Sequence, residues 1–173
     1  MRGRPCSCAF TGHRPGKLPW GEDESDLRCI ALKAKLRAAV ESAIHEGLEH
    51  FICGMAEGCD LYFAETVLAL KSTYPHITIE AAIPFSGQAD RWRPELRARY
   101  DYDLRQCDYQ TLVQEAYTPG CMMRRNRYMV DASRILIAAF DGRPGGTART
   151  LEYAALRKLE IIQLPIDRAP VGI

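Results

Sequence analysis

A three-layer α/β fold, with a mostly parallel sheet and helices on both faces, is what this sequence predicts. Three observations carry the prediction. Short apolar runs alternate with longer helical patterns along the whole chain. Glycine turns follow four of those runs, at Thr11-Gly12, Gly54, Gly87 and Gly142. The segments between the runs are long enough for the crossovers that parallel strands require.

The elements follow in order. Pro5 to Phe10 reads as a first strand, ending at Thr11-Gly12. After a loop holding Pro15, Gly16, Pro19 and Gly21, a helix is expected from about Asp26 to Glu46. Leu36, Val40, Ala43 and Ile44 share one face of it, and Gly47 suits its stop. His50 to Cys53 is a second strand, followed by a helix from Asp60 to Ser72 with Leu61, Ala64 and Leu68 at helical spacing. Ile77 to Ile83, rich in β-branched residues, is a third strand that Pro84 ends. Arg91 to Asp108 reads as a polar helix with a stripe of Trp92, Leu96, Tyr100 and Leu104, then Gln110 to Val113 as a fourth strand. Met122 to Ser133 is helical, Arg134 to Phe140 a buried strand, Thr147 to Leu159 a helix and Ile161 to Ile166 the last strand. The plan is Rossmann-like, and one domain is expected over residues 1–173.

Composition narrows the function classes. The 173 residues are 47% hydrophobic and 26% charged, which is globular rather than disordered. Lys and Arg number 23 against 22 Asp and Glu, so the net charge of +1 gives no general pull toward nucleic acid or anionic lipid. No apolar run approaches the ~18 residues of a membrane span, and no signal-peptide pattern follows Arg2 and Arg4. Seven cysteines are an odd set for a disulfide framework and fit a reducing cytoplasm. Cys6 and Cys8 lack a second ligand pair nearby, so no metal site is expected.

The informative residues stand after the strands. Thr11-Gly12-His13-Arg14 follows the first, Gly54 to Asp60 the second, and Asp141 to Thr147 the buried strand from Arg134 to Phe140. In a doubly wound sheet the ligand crevice lies outside these carboxyl ends. Gly145-Gly146-Thr147 opens a helix, where free amides attract phosphate and the hydroxyls of Thr147 and Thr150 could add bonds. A tight turn with Thr147 as a cap reads equally well. Asp60 suits a ribose hydroxyl, but taken alone it reads better as a complement to the dipole of its helix. Arg124, Arg125 and Arg127 with Asn126 form the dense basic cluster, either a solvated helix face or a crevice border. Neither G-x-G-x-x-G nor G-x-x-x-x-G-K-[ST] occurs, which argues against an ordinary dinucleotide dehydrogenase or P-loop enzyme.

Taken together, five motifs resemble the YpsA-like family of the SLOG superfamily, which groups Smf/DprA proteins with LOG-type nucleotide enzymes. They are Thr11-Gly12-His13-Arg14, Gly54-Met55-Ala56-x-Gly58-x-Asp60, Ile83-Pro84-Phe85-x-Gly87-Gln88, Arg125-Asn126-x-Tyr128-Met129-Val130-Asp131, and Asp141-Gly142 with Gly145-Gly146-Thr147-x-x-Thr150. The resemblance implies a cytoplasmic bacterial protein that binds or senses a nucleotide or nucleotide-derived ligand at the glycine-rich edge. It implies no other cofactor and no membrane partner, and it leaves a homo-oligomer open. LOG-type relatives cleave nucleoside monophosphates with a glutamate in P-G-G-x-G-T-x-x-E. Here Pro144 to Glu152 keeps P-G-G and the glutamate, but has Ala148 and Arg149 where the pattern has Gly and Thr. Glu152 is thus the one catalytic candidate, for an alternative N-glycosidase or phosphoribohydrolase function. DprA-type relatives bind single-stranded DNA, and the near-neutral charge argues against that here.

Overall fold

The computed structural model describes residues 4–169. Its strands are β1 (Ser7–Gly12), β2 (His50–Cys53), β3 (Thr78–Ile83), β4 (Tyr109–Leu112), β5 (Ile135–Phe140) and β6 (Glu160–Pro165). Its longer helices are α1 (Leu27–His45), α2 (Cys59–Leu70), α3 (Pro94–Gln106), α4 (Cys121–Asp131) and α5 (Gly146–Leu156). The strands form one sheet in the order β4-β3-β2-β1-β5-β6, and every neighbouring pair is parallel. The predicted Rossmann-like α/β plan is therefore the plan observed. The single-domain expectation reaches residues 1–3 and 170–173, which lie outside the described residues.

The order of strands decides where the helices go. From β1 to β4 the chain steps one way across the sheet, and right-handed crossovers put α1, α2 and α3 on one face. It then returns past β1 and steps the other way through β5 to β6, which puts α4 and α5 on the opposite face. Two apolar cores record this. Phe10, Phe51, Ile79, Ile135 and Ile137 pack under α1 and α2, with Leu36, Val40, Phe63 and Val67 above them. Ala9, Ile52, Ala82, Leu136 and Ala138 face Met129, Val130, Leu151 and Ala154 of α4 and α5. Adjacent strand residues thus point to opposite cores, as the pleat requires. β5 is buried on both sides, which is why its sequence reads as an unbroken apolar run.

Local chemistry sets the ends of the helices. The Asp26 side chain caps α1 by accepting from the Arg28 N–H at 2.8 Å. The sequence pattern starts α3 at Arg91, but the helix begins at Pro94, because the residue before a proline is kept out of the helical conformation. It ends at Gln106, since Asp108 is used instead to accept the Ile79 N–H at 2.9 Å. The first strand begins at Ser7 rather than Pro5, where Arg4–Cys6 wind into a 3-10 turn. It continues to Gly12 because Thr11 and Gly12 pair with Ala138 and Ala139. α5 stops at Leu156 instead of Leu159, and Leu159 turns into the core. Other borders move by one or two residues. Trp92 and Tyr100 are edge-to-face at 5.1 Å in the core, whereas Tyr102 and Tyr109 are exposed.

All seven cysteines are free. Burial pushes the thiols of Cys8, Cys53 and Cys59 well above their ordinary value, which suits packing rather than nucleophilic chemistry. Among the described residues no helix is long and apolar enough to cross a membrane.

Candidate functional site

Because the chain leaves β1 toward one face and β5 toward the other, their loops part and open a crevice at the C-terminal edge of the sheet. A cavity of about 420 Å³ lies there, within the range of small-molecule sites. Thr11, Gly12, His13 and Arg14 form one wall, with Gly16 and Lys17 beyond them. Ala56 and Asp60 come from the β2–α2 junction, and Met122, Arg125, Asn126 and Met129 from α4. Gly146 and Thr147 of α5 complete the lining. The charges on it are Arg14, Lys17 and Arg125 against the one carboxylate of Asp60.

Arg125 is the organising side chain. It is 4% exposed, and its Nη1 donates to the carbonyls of Gly54 at 2.6 Å and Ala82 at 3.2 Å. Its Nε donates to Asn126 Oδ1 at 2.8 Å. Nη2 meets the Met122 sulfur at 4.0 Å and has no oxygen partner among the described residues. A Cβ on residue 54 would stand 2.1 Å from the guanidinium, so only glycine leaves room for this arginine. Burial pushes the Arg125 group below its ordinary value while Asp60 opposes the shift, and arginine remains a cation at neutral pH.

Asp60 sits in the first turn of α2, buried, with Oδ2 accepting the Ala56 N–H at 3.1 Å. Burial raises its pKa, against the lowering effect of Arg125, that N–H and Arg14. Gly58, just before α2, has φ +82, a conformation that glycine adopts without strain. A Cβ there would come within 2.9 Å of the His13 carbonyl. His13 Nε2 and Asp141 Oδ1 are hydrogen-bonded at 2.7 Å, both side chains almost wholly buried. Arg168 binds Asp141 Oδ2 and the Lys17 carbonyl, and the Arg143 N–H donates to Oδ1 at 3.1 Å. Burial would push the Asp141 carboxyl up, but these hydrogen bonds hold it far below the ordinary carboxylate range. His13 is therefore a fixed wall of the cavity.

At the start of α5, Gly146 and Thr147 present the first helical N–H groups, which have no partner within their own helix. Asn126 Nδ2 donates to Thr150 Oγ1 at 2.9 Å, and that hydroxyl donates to the Gly146 carbonyl at 2.8 Å. A hydrogen-bonded chain thus runs from Arg125 through Asn126 and Thr150 to the helix start.

The structure brings Thr11, Gly12, His13, Arg14, Asp60, Arg125, Asn126, Gly146 and Thr147 together on one cavity. Gly54, Gly58, Asp141, Gly145 and Thr150 stand just behind the lining, bonded to or preceding residues that form it. Arg124 is exposed, turned toward Gln114 at 3.3 Å, and outside the lining. Glu152 is exposed on the solvent side of α5, since the buried side carries Thr147, Thr150, Leu151 and Ala154. Sequence reasoning missed Lys17, Met122, Met129 and Arg168. Lys17 could have been found as the cation in the proline-glycine loop after β1. Arg168 gave no signal, lying 27 residues from its partner Asp141.

Comparison with known proteins places these features in a family. The family model described as the YspA SLOG family matches residues 8–167. UPF0398 proteins of Bacillus thuringiensis strain Al Hakam and Bacillus cereus strain AH187 are 30% identical over 158 residues, which is 88% of this chain and 84% of theirs. Among solved structures, DNA processing protein A of Streptococcus pneumoniae matches with a TM-score of 0.60 at 17% identity, over 92% of this chain and 50% of that one. DNA processing protein A of Helicobacter pylori, described for its single-stranded DNA binding mode, matches with a TM-score of 0.63 at 16% identity. That match spans 94% of this chain and 66% of the other. At these identities the two structures speak to the fold.

Proposed function

The chain belongs to the YspA SLOG family, and from that premise we propose that it binds a phosphorylated, nucleotide-like small molecule in the cavity between β1 and β5. The observation that carries this reading is Arg125. A buried guanidinium is costly unless its donors are used, and Nη2 is spent on a 4.0 Å sulfur contact. The N-terminal turn of α5 borders the same space and favours an anion there. A phosphate between these groups would satisfy both. Arg14 and Lys17 at the mouth would attract it, and the Asp60 carboxylate is placed to accept from a hydroxyl or amino group of the same ligand.

The reading is of binding or sensing rather than turnover, because Glu152 lies outside the cavity. We assign the protein to the cytoplasm, where seven free cysteines would stay reduced. Titration calorimetry with AMP, ADP-ribose and adenosine tests the proposal, with product analysis of any nucleotide that binds. The expected result is saturable binding of the phosphorylated compounds, much weaker binding of adenosine and no released base. Equal affinity for AMP and adenosine would overturn it.

A second reading has its own observation. Arg14, Lys17, Arg124, Arg143 and Arg149 are all exposed around this edge, and the phosphates of single-stranded DNA would meet the same cations. It predicts binding of an oligothymidylate that weakens steeply with salt, which the small-ligand reading does not.

A further inference from the structure

Met122, the second residue of α4, is half-buried and lines the cavity. Its sulfur lies 3.8 Å from Arg14 Nη2 and 4.0 Å from Arg125 Nη2, between the two guanidinium groups. A thioether is a weak acceptor, so it can swing aside when a better partner arrives. A sulfoxide at the same place is different, because its oxygen is a strong acceptor and both neighbours are cationic donors.

We propose that Met122 is an oxidation site that switches the anion-binding cavity off, an inference that rests on the binding role assigned to that cavity. A hydroperoxide is the oxidant. The sulfur lone pair attacks the distal peroxide oxygen, the S–O bond forms as the O–O bond breaks, and the leaving oxygen is protonated. With hydrogen peroxide the sulfur loses two electrons and the peroxide is reduced to water. The sulfoxide oxygen then takes the hydrogen bonds of Arg14 and Arg125 that a ligand phosphate would use.

Other described methionines are worse placed. Met55 is 0% exposed and outside the cavity lining, so peroxide reaches it only when the fold opens, and Met129, which also lines the cavity, shows only 1% of its surface. Met123 is half-buried but outside the cavity lining.

The test treats the folded chain with hydrogen peroxide and maps sulfoxide by peptide mass spectrometry. AMP affinity and the Arg14 and Arg125 Nε–Hε NMR signals are read on the same samples. Met122 should oxidise ahead of Met55 and Met129, AMP affinity should fall about tenfold or more, and methionine sulfoxide reductases should restore it. M122L cannot oxidise there, so whatever its starting AMP affinity, the treatment should not change it, whereas M123L should lose affinity on treatment as the parent does. Full oxidation of Met122 with unchanged AMP affinity would overturn the switch, as would an equal loss in M122L. If AMP fails to bind even the untreated protein, the binding role falls, and the arginine signals decide the rest. Signals that move on oxidation in the parent but not in M122L would still support the sulfoxide contact, and unmoved signals would refute it.

Discussion

Replacing Gly146 with valine separates binding from folding at the point where the account is most specific. A Cβ built on Gly146 meets nothing within 4 Å, and its φ is not in the left-handed region. The folded state therefore has room for the side chain. Helix propensity in the first turn of α5 favours valine over glycine, so the net stability change stays within about 1 kcal/mol. Gly146 nevertheless lines the cavity, and a branched side chain there covers the approach to its own N–H and that of Thr147. A phosphate bound at those amides would lose one or two hydrogen bonds to an ionised acceptor, each about 1.5–3 kcal/mol. That converts to a loss of at least about tenfold in AMP affinity. Calorimetric titration of parent and variant reads it directly, with adenosine as a control that should change little. A cooperative urea transition with an unfolding free energy within about 1 kcal/mol of the parent's confirms that the variant is folded. A folded Gly146→Val protein that binds AMP as tightly as the parent would refute the placement of the phosphate.

Arg125→Met should cost stability as well as binding, since it leaves the Gly54 and Ala82 carbonyls without their donor. A loss of about 3 kcal/mol in urea unfolding is expected, together with loss of measurable AMP binding. Asp141→Asn tests a pH dependence. The native carboxyl is held below its ordinary value, so it stabilises above the unfolded pKa, and that contribution is lost as pH falls through the folded one. The variant should be less stable at pH 7 by about 2 kcal/mol, with the gap holding down to about pH 4 and closing progressively as pH falls further toward the folded value; a gap that stays constant well below about pH 4 would contradict the ion-paired role. Asp103→Asn tests the opposite sign. Burial, then the Glu65 carboxylate, push Asp103 up to about 7, and its Oδ2 lacks a hydrogen-bond partner among the described residues. The folded state therefore holds a proton that the unfolded state has released, so the parent loses stability from about pH 4 to pH 7. The substituted amide, which can donate to Glu65 without titrating, should flatten that slope in urea midpoints.

How far the sequence reaches can be judged from particular residues. The unbroken apolar run of β5 and the glycine turns after β1 and β2 were legible because burial on both faces and close backbone approach leave few residue choices. Gly54 was legible as a turn, but its reason was not, since the group that needs the space is Arg125, 71 residues away. The basic cluster of α4 looked uniform in sequence. The helix splits it, sending Arg125 inward and Arg124 and Arg127 outward, and a one-residue step of about 100° decides which arginine meets the cavity. Glu152 was drawn from a motif, and the same helical geometry turns it to solvent. The His13–Asp141–Arg168 contact joins three distant segments, and no local pattern encodes such a pairing.

A phosphate lodged between Arg125 and the first turn of α5 would touch three groups that NMR can follow one by one. Titrating nitrogen-15-labelled protein with AMP would follow the Arg125 Nε–Hε signal and the backbone amides of Gly146 and Thr147. With the phosphate bound there, these three signals move together and saturate at one affinity, while adenosine at the same concentrations leaves them in place. AMP binding that shifts residues elsewhere, such as Tyr100 and Leu112 in the groove between α3 and β4, and leaves these three unmoved would contradict that placement.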